Sequence, residues 1–251
     1  MREQLKISII MPNLNGEKTI ERSILSFVNN NYVNKELLII DGKSVDRSFS
    51  IIRKYANKFS NINWIKKKDI GISDAINIGI EYCRGNIIGY LGSDDLLNSE
   101  TFFKINDYKS LVDFDAIYFD SYTYFLRSEK IILRKCPNIN FDKKNLIKHG
   151  TIVGLQNIFF DKRVYQNIRY DVKNLYSMDY EIYFKIIDFF PRFIYVEYPA
   201  TINLFGTNIS YRLERVQNNE AISVMWENFN FLYLKFLPIK RILINSIKKL
   251  F

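Results

Sequence analysis

The chain has 251 residues, 47% of them hydrophobic and 25% charged, an ordinary globular composition with length enough for a substantial core. Its formal charge of +9 favours anionic partners, and two cysteines (Cys83, Cys136) with one histidine (His149) exclude a multi-cysteine zinc site or a disulfide framework. Any metal must therefore be held by oxygen.

In chain order, short β-rich runs predict strands at Lys6–Pro12, Glu36–Asp41, Asn61–Ile65 and Asn86–Gly92. Between them, apolar residues at helical spacing predict helices: Ile20, Ile24, Phe27 and Val28, then Phe49, Ile52, Tyr55, Ala56 and Phe59, then Ile76, Ile80 and Cys83. Asp46 and Ser73 are suited to cap the second and third helices, and Gly85 follows the third. Ser99 and Glu100 open a fourth. Residues 115–134 read as two strands around a polar turn near Arg127–Lys130, Gln156–Phe160 and Arg192–Tyr198 as further strands, and Met178–Phe189 and Glu214–Phe236 as helices. Alternating strand and helix imply βαβ units: an α/β, Rossmann-like, mostly parallel sheet flanked by helices, with a C-terminal helical segment.

Polar clusters follow each of the first four strands: Pro12-Asn13-Leu14-Asn15, Asp41-Gly42-Lys43-Ser44, Lys66-Lys67-Lys68-Asp69 and Ser93-Asp94-Asp95. Each alone reads as a solvated loop. Together they lie at the carboxyl edge of a parallel sheet, where ligands bind and helix N-termini present donors to anions. Asp94-Asp95 stands out, since adjacent carboxylates repel unless a cation or donors compensate. A divalent ion held by one or two carboxylates plus phosphate oxygens meets that need.

The segments ISIIMPNLNGEKTIERSILSFVNNNY, ELLIIDGKSVDRS and DIGISDAINIGIEYCRGNIIGYLGSDD resemble the N-terminal half of glycosyltransferase family two, inverting enzymes of GT-A fold that use nucleotide-activated sugars. LQNIFFDKRVY and YSMDYEIYFKI resemble later segments of that family. The resemblance implies nucleotide contacts at Pro12, Asn13, Asn15, Glu17, Asp41, Asp69, Gly71 and Asp94, a metal ligand at Asp95 with Asp94 beside the ribose or metal, and Gln156 on the acceptor side. It implies Asp179 as catalytic base, with Glu181 second. Gly42-Lys43 after Asp41 resembles a surface-polysaccharide subgroup, and Met178 stands where many members carry Glu.

The expected activity is transfer of a sugar from a nucleotide-sugar donor, a UDP-sugar by the family's weighting, to a hydroxyl of a cell-surface glycan on an isoprenoid-linked acceptor. Mn²⁺ or Mg²⁺ is the expected cofactor, and nucleic acid is not an expected partner. The expected organisation is a glycosyltransferase domain over 1–210, with a nucleotide half over 1–100 and an acceptor half over 101–210, then a helical segment over 211–251. Without a signal peptide or an 18-residue apolar run, the expected location is the cytoplasm. The basic amphipathic FLPIKRILINSIKKLF adds contact with the inner-membrane surface, against the alternative of a helix packed on the body. Two other functional readings remain open. A nucleotidyltransferase would need a Gly-rich basic phosphate loop, which PNLNGEK does not provide, and a non-catalytic scaffold would keep the nucleotide fold without turnover.

Overall fold

A computed structural model describes residues 4–205 and 214–228. The first half builds as the alternation predicts: β1 (Ile7–Asn13), α1 (Ile20–Val28), β2 (Lys35–Asp41), α2 (Ser48–Lys58), β3 (Ile62–Lys66), α3 (Ile72–Tyr82) and β4 (Ile87–Tyr90). A two-residue strand, β5 (Leu96–Leu97), and α4 (Thr101–Leu111) follow. The second half comprises β6 (Ala116–Phe125), β7 (Lys130–Arg134), α5 (Lys143–His149), β8 (Ile158–Asp161), α6 (Met178–Ile187), β9 (Phe193–Phe205) and α7 (Glu214–Glu227).

One sheet runs through the protein in the order β3-β2-β1-β4-β8-β6-β9-β5, with β7 paired to β6. β3, β2, β1 and β4 are parallel, as is the β6–β9 pair, while β8 inserts antiparallel between β4 and β6. Because strand side chains alternate, this sheet divides the interior into two cores. Ile7, Ile9, Met11, Leu37, Ile39 and Ile87 meet α1, α2 and α4 on one face through Ile24, Phe27, Ile52, Phe102 and Ile105. Ile10, Leu38, Ile40 and Ile88 meet α3, α5, α6 and α7 on the other, through Ile76, Leu146, Ile182, Tyr183 and Val224. Strands covered on both faces lose the polar half of their alternation, which is why ISIIM and ELLII are nearly continuous apolar runs.

Some local signals resolve differently. Ser73 lies inside α3, and its hydroxyl donates to the Asn174 carbonyl at 2.7 Å, so it joins α3 to the later loop instead of capping the helix. His149 is the last residue of α5, before Gly150 at φ 76°. At the edge opposite the polar loops, Asp115 is 2% exposed and takes hydrogen bonds from Arg163 and Arg192, binding the starts of β6 and β9 together.

Close approach across the sheet depends on Gly89. A Cβ there would stand 2.4 Å from Phe159 Cδ1 and 3.0 Å from Ile9 Cδ1. Gly89→Ala therefore overpacks a closed core and costs about 1–3 kcal/mol, read as a lower urea midpoint at unchanged m-value.

Candidate active site

Loops after β1 and β2 are joined by their own polar groups. Asp41, fully buried, accepts from Asn13 Nδ2 (3.0 Å), Ser44 N (2.9 Å) and Ser44 Oγ (2.7 Å). Ser44 Oγ also accepts from Asn13 Nδ2 and from Asn15 N at 2.9 Å. Asn15, at φ 54°, accepts the Val45 amide on Oδ1, while Glu17 takes the Arg47 amide and donates its own N–H to Asp46. Asp46 serves α2 as well, since its other oxygen accepts from Ser48 N at 2.9 Å. The Asp41 carboxylate is thus spent on holding two loops in one shape. These loops expose Leu14, Asn15, Lys43 and Val45 and leave Pro12 and Glu17 partly buried.

Asp69 comes from the β3 loop to face Gly42, where a Cβ would lie 2.9 Å from its Oδ2. Burial, then Asp74 and Asp41, push its pKa up against one donor, the Gly71 amide. Gly71 opens α3 at φ 146°, beside Leu175. Three of the four polar loops therefore meet side by side, as parallel β3-β2-β1 requires.

The fourth loop carries the pair. Asp94 and Asp95 bend over Gly92, where a Cβ would stand 2.9 Å from Asp94 Oδ1 and 2.7 Å from Asp95 Oδ2, so the glycine leaves the cradle between the carboxylates open. The turn is pinned to α1: Ser23, fully buried, donates to the carbonyls of Gly92 (3.2 Å) and Asp95, and Leu97 N donates to Ser26 Oγ at 3.0 Å. On the other side β5 pairs with Thr201–Ile202, and the Leu204 amide donates to Asp95. Burial is the main cause that raises both carboxyls, and Asp94 raises Asp95 further. Arg22 on α1 acts against this, and its buried Nε has no hydrogen-bond partner.

Asp179 sits in the first turn of α6, where its carboxylate accepts from Tyr180 N at 2.8 Å. Burial outweighs that donor and lifts its pKa to about 6, although part of the residue still meets solvent. Glu181, also in the first turn of α6, is 7% exposed, ion-paired to Lys185 and bonded to Asn174 Nδ2. Of the two acids, Asp179 is the one without a cation partner among the described residues. The start of α6 is held from α7: Glu220 accepts the amides of Leu175, Tyr176 (2.7 Å) and Ser177, and Ser177 Oγ donates to the Gln217 carbonyl at 2.7 Å. Gln156 lies in a single 3-10 turn, Leu155–Asn157, just before β8 and folded against Gly154. Its neighbour Asn157 is 4% exposed and accepts from Thr201 at 2.6 Å.

Tyr90, at the end of β4, links these acids and is a residue that sequence reasoning passed over. Burial first, then Asp95, Asp94 and Asp179, drive its phenol pKa far up, which puts the three carboxylates within electrostatic reach of one hydroxyl. The signal was present as a lone hydroxyl-bearing aromatic ending the run IIGY.

The donor set tests whether a divalent ion fits. Two carboxylates converge on an open cradle, with no His or Cys beside them, which suits a hard cation. No group of three or more His, Cys, Asp or Glu that could hold a metal occurs among the described residues, so the pair alone is incomplete. A hard ion that takes one or two carboxylates and completes its shell with substrate phosphate and water fits this arrangement.

The family model for glycosyl transferase family 2 matches residues 8–189. Over 117 residues the chain is 34% identical to a minor teichoic acid biosynthesis protein, GgaB, of Bacillus subtilis, covering 44% of this chain and 13% of that one. The chain spans 13–38% of the length of the first curated relatives it matches. In fold it resembles S. aureus TarS 1–349 in complex with UDP-GlcNAc, with TM-score 0.68 and 15% identity over 93% of this chain and 74% of that one. It also resembles the mannosyltransferase PcManGT of Pyrobaculum calidifontis in complex with GDP-Man and Mn²⁺, with TM-score 0.68 and 15% identity over 91% and 66% of the two chains.

Proposed function

Since the chain belongs to glycosyl transferase family 2, we propose that it transfers a sugar with inversion from a nucleotide-sugar, a UDP-sugar, to a hydroxyl of a lipid-linked cell-surface glycan. The observation that carries this reading is the convergence of the Asp94 and Asp95 carboxylates on the open cradle at Gly92, at the carboxyl edge of the sheet. The teichoic acid relative supports the surface glycan, and the UDP-GlcNAc complex of TarS supports the donor.

In this reading the loops with Pro12, Asn13, Asn15, Glu17, Asp69 and Gly71 receive the nucleotide, and Asp41 keeps two of them in register. Asp94 and Asp95 would hold Mn²⁺ or Mg²⁺, which supplies charge neutralisation to the departing diphosphate when bound. Arg22 stands beside that pair with a free Nε. Asp179 takes the proton of the acceptor hydroxyl as that oxygen attacks the anomeric carbon, and a pKa of about 6 leaves it ionised at neutral pH yet basic enough to accept. Gln156 faces the acceptor. In this reading residues 1–100 serve the nucleotide and 101–210 the acceptor; of the segment 211–251, expected to be helical, only 214–228 falls within the described residues.

No helix among the described residues is long and apolar enough to cross a membrane. The basic segment 238–251, read as contacting the cytoplasmic face of the inner membrane, lies outside the described residues.

The test uses purified protein with UDP- and GDP-sugars, with and without Mn²⁺. One donor is expected to raise the melting temperature in the presence of metal and to release nucleotide when acceptor lipid extract is added. Nucleotide binding without turnover on any extract would leave a scaffold instead of an enzyme.

A further inference from the structure

Away from the three carboxylates, a cavity of about 330 Å³ opens between β6, β9 and the loop before α5. Its volume is at the small end of the roughly 300–1,000 Å³ typical of small-molecule sites. Tyr118, Phe141, Phe193 and Tyr195 wall it, and Asn138 and Asn140 stand at its mouth. Tyr118 and Phe141 are buried, at 2% and 8% exposure, while Phe193 and Tyr195 are only partly covered. The rings brace one another: Phe141 stacks on Phe193 at 4.1 Å, and Tyr118 tilts against Tyr195 at 5.4 Å.

The shape is set in advance. β6 carries a bulge around Asp120, which is 1% exposed and accepts from the Tyr195 hydroxyl (2.8 Å) and the Cys136 amide (2.7 Å). One carboxylate thus fixes a cavity wall and the start of the loop that bears both asparagines. The far end of that loop is fixed by Asp142, which caps α5 through Asn145 N at 2.8 Å, and by Asn145 Nδ2 donating to the Asn140 carbonyl at 2.9 Å. Neither Asn138 nor Asn140 has a side-chain hydrogen-bond partner among the described residues, and both are exposed, each offering two donors and an acceptor.

No Asp, Glu, Lys, Arg or His lines the cavity, which disfavours a nucleotide, a phosphate or a free cation. The open part of the lining is mostly polar, so a neutral ligand that meets the amides and tyrosine hydroxyls with its own hydroxyls and sets only a small C–H patch against the ring edges matches it, and a pyranose is that ligand. The position agrees. Tyr118 and Tyr195 pair with each other in the cross-strand row just beyond Gly89–Phe159–Ile117, the row that Tyr90 enters. Tyr90 lies two strands from β6 and three from β9, about 10–14 Å at ~4.8 Å per strand, which is the reach of a short oligosaccharide.

We propose that this aromatic cavity binds a neutral pyranose residue of the acceptor glycan, a few sugars away from the hydroxyl that reacts; the assignment to an acceptor rests on the transfer reading above. The test is saturation-transfer NMR on the full chain without nucleotide, using methyl pyranosides of glucose, galactose, mannose and N-acetylglucosamine and their di- and trisaccharides. The expected result is transfer from the protein to at least one sugar, weakened tenfold or more in Asn138→Ala/Asn140→Ala and in Asn140→Trp, which fills the mouth from an exposed position. Asp179→Asn keeps the signal. A cooperative melt like that of the unmodified chain certifies that each variant is folded. No saturation transfer to any of these sugars, or transfer unchanged in both variants, overturns the proposal. Donor turnover is scored separately: a chain that turns over nucleotide-sugar but shows no sugar binding refutes the cavity alone, and one that binds sugar but turns over no donor keeps the cavity and refutes its assignment to an acceptor.

Discussion

Asp179→Asn protein is expected to bind nucleotide as the unmodified chain does and to transfer sugar about 10²–10⁴-fold more slowly, the contribution of a positioned general base. The substitution keeps the side chain's size and its ability to accept from Tyr180 N, and removes only basicity. Two further readouts separate this role from a structural one. For the unmodified chain, kcat/KM falls tenfold per pH unit below about 6, where Asp179 becomes protonated, and is level above it. Stability follows the same group with the opposite sense. Its folded pKa is raised above the ordinary carboxylate value, so the folded state holds a proton that the unfolded state has lost, and stability declines as pH climbs from about 4 to about 6. Asp179→Asn removes that decline, so the variant melts higher than the unmodified chain at pH 7. Retained transfer, or an acid limb that survives the substitution, would assign the base elsewhere.

The second large effect is at Asp95. Asp95→Asn is expected to lose Mn²⁺-dependent tightening of UDP binding, measured by calorimetry with and without metal. The reason is that Asp95 and Asp94 turn toward the same opening above Gly92 and, among the described residues, no third carboxylate joins them. The variant also gains stability without metal. Burial and Asp94 hold the folded Asp95 carboxyl above its unfolded value, so its ionisation destabilises the fold increasingly as pH rises from about 4 toward the raised value. The gain is therefore small at pH 4 and larger at pH 8, at roughly 2–4 °C of melting temperature per kcal/mol for a chain of this size. Higher stability with lost metal response is the pattern of a site kept at a cost to the fold. Unchanged calorimetry in metal would remove Asp95 as a ligand.

The first hundred residues were legible because their physics is local. Parallel strands buried on both faces give unbroken apolar runs, their crossover helices give a second period, and the loops after them share one edge by topology. Ser93-Asp94-Asp95 could be singled out for the same reason, since the repulsion of adjacent acids is visible without coordinates. The rest depends on pairing that no short window carries. The insertion of β8 antiparallel between β4 and β6 is decided by which edge is free, and β5 is two residues whose strand character exists only against Thr201–Ile202. α5 buries Leu146 and Ile147 alone, too few for a period to be read. Ser73 looked like a cap because its partner, the Asn174 carbonyl, lies 101 residues away. Tyr90 was hidden for a related reason, as its significance comes from Asp179 at the far end of the chain.

The grip of α7 on the start of α6 bears on the order in which the protein acquires its abilities. Synthesis proceeds from the N-terminus, and the loops after β1 and β2, which bond to each other, are complete well before β9 emerges to pair with β5 beside Asp95. The turn that presents Asp179 takes three of its amide partnerships from Glu220, some forty residues later than Asp179 itself. On the proposed function, a growing chain therefore completes the joined loops after β1 and β2 before the turn that presents the base. Trimming from the C-terminus reverses that order, so cuts that enter 214–228 remove transfer first and nucleotide binding last.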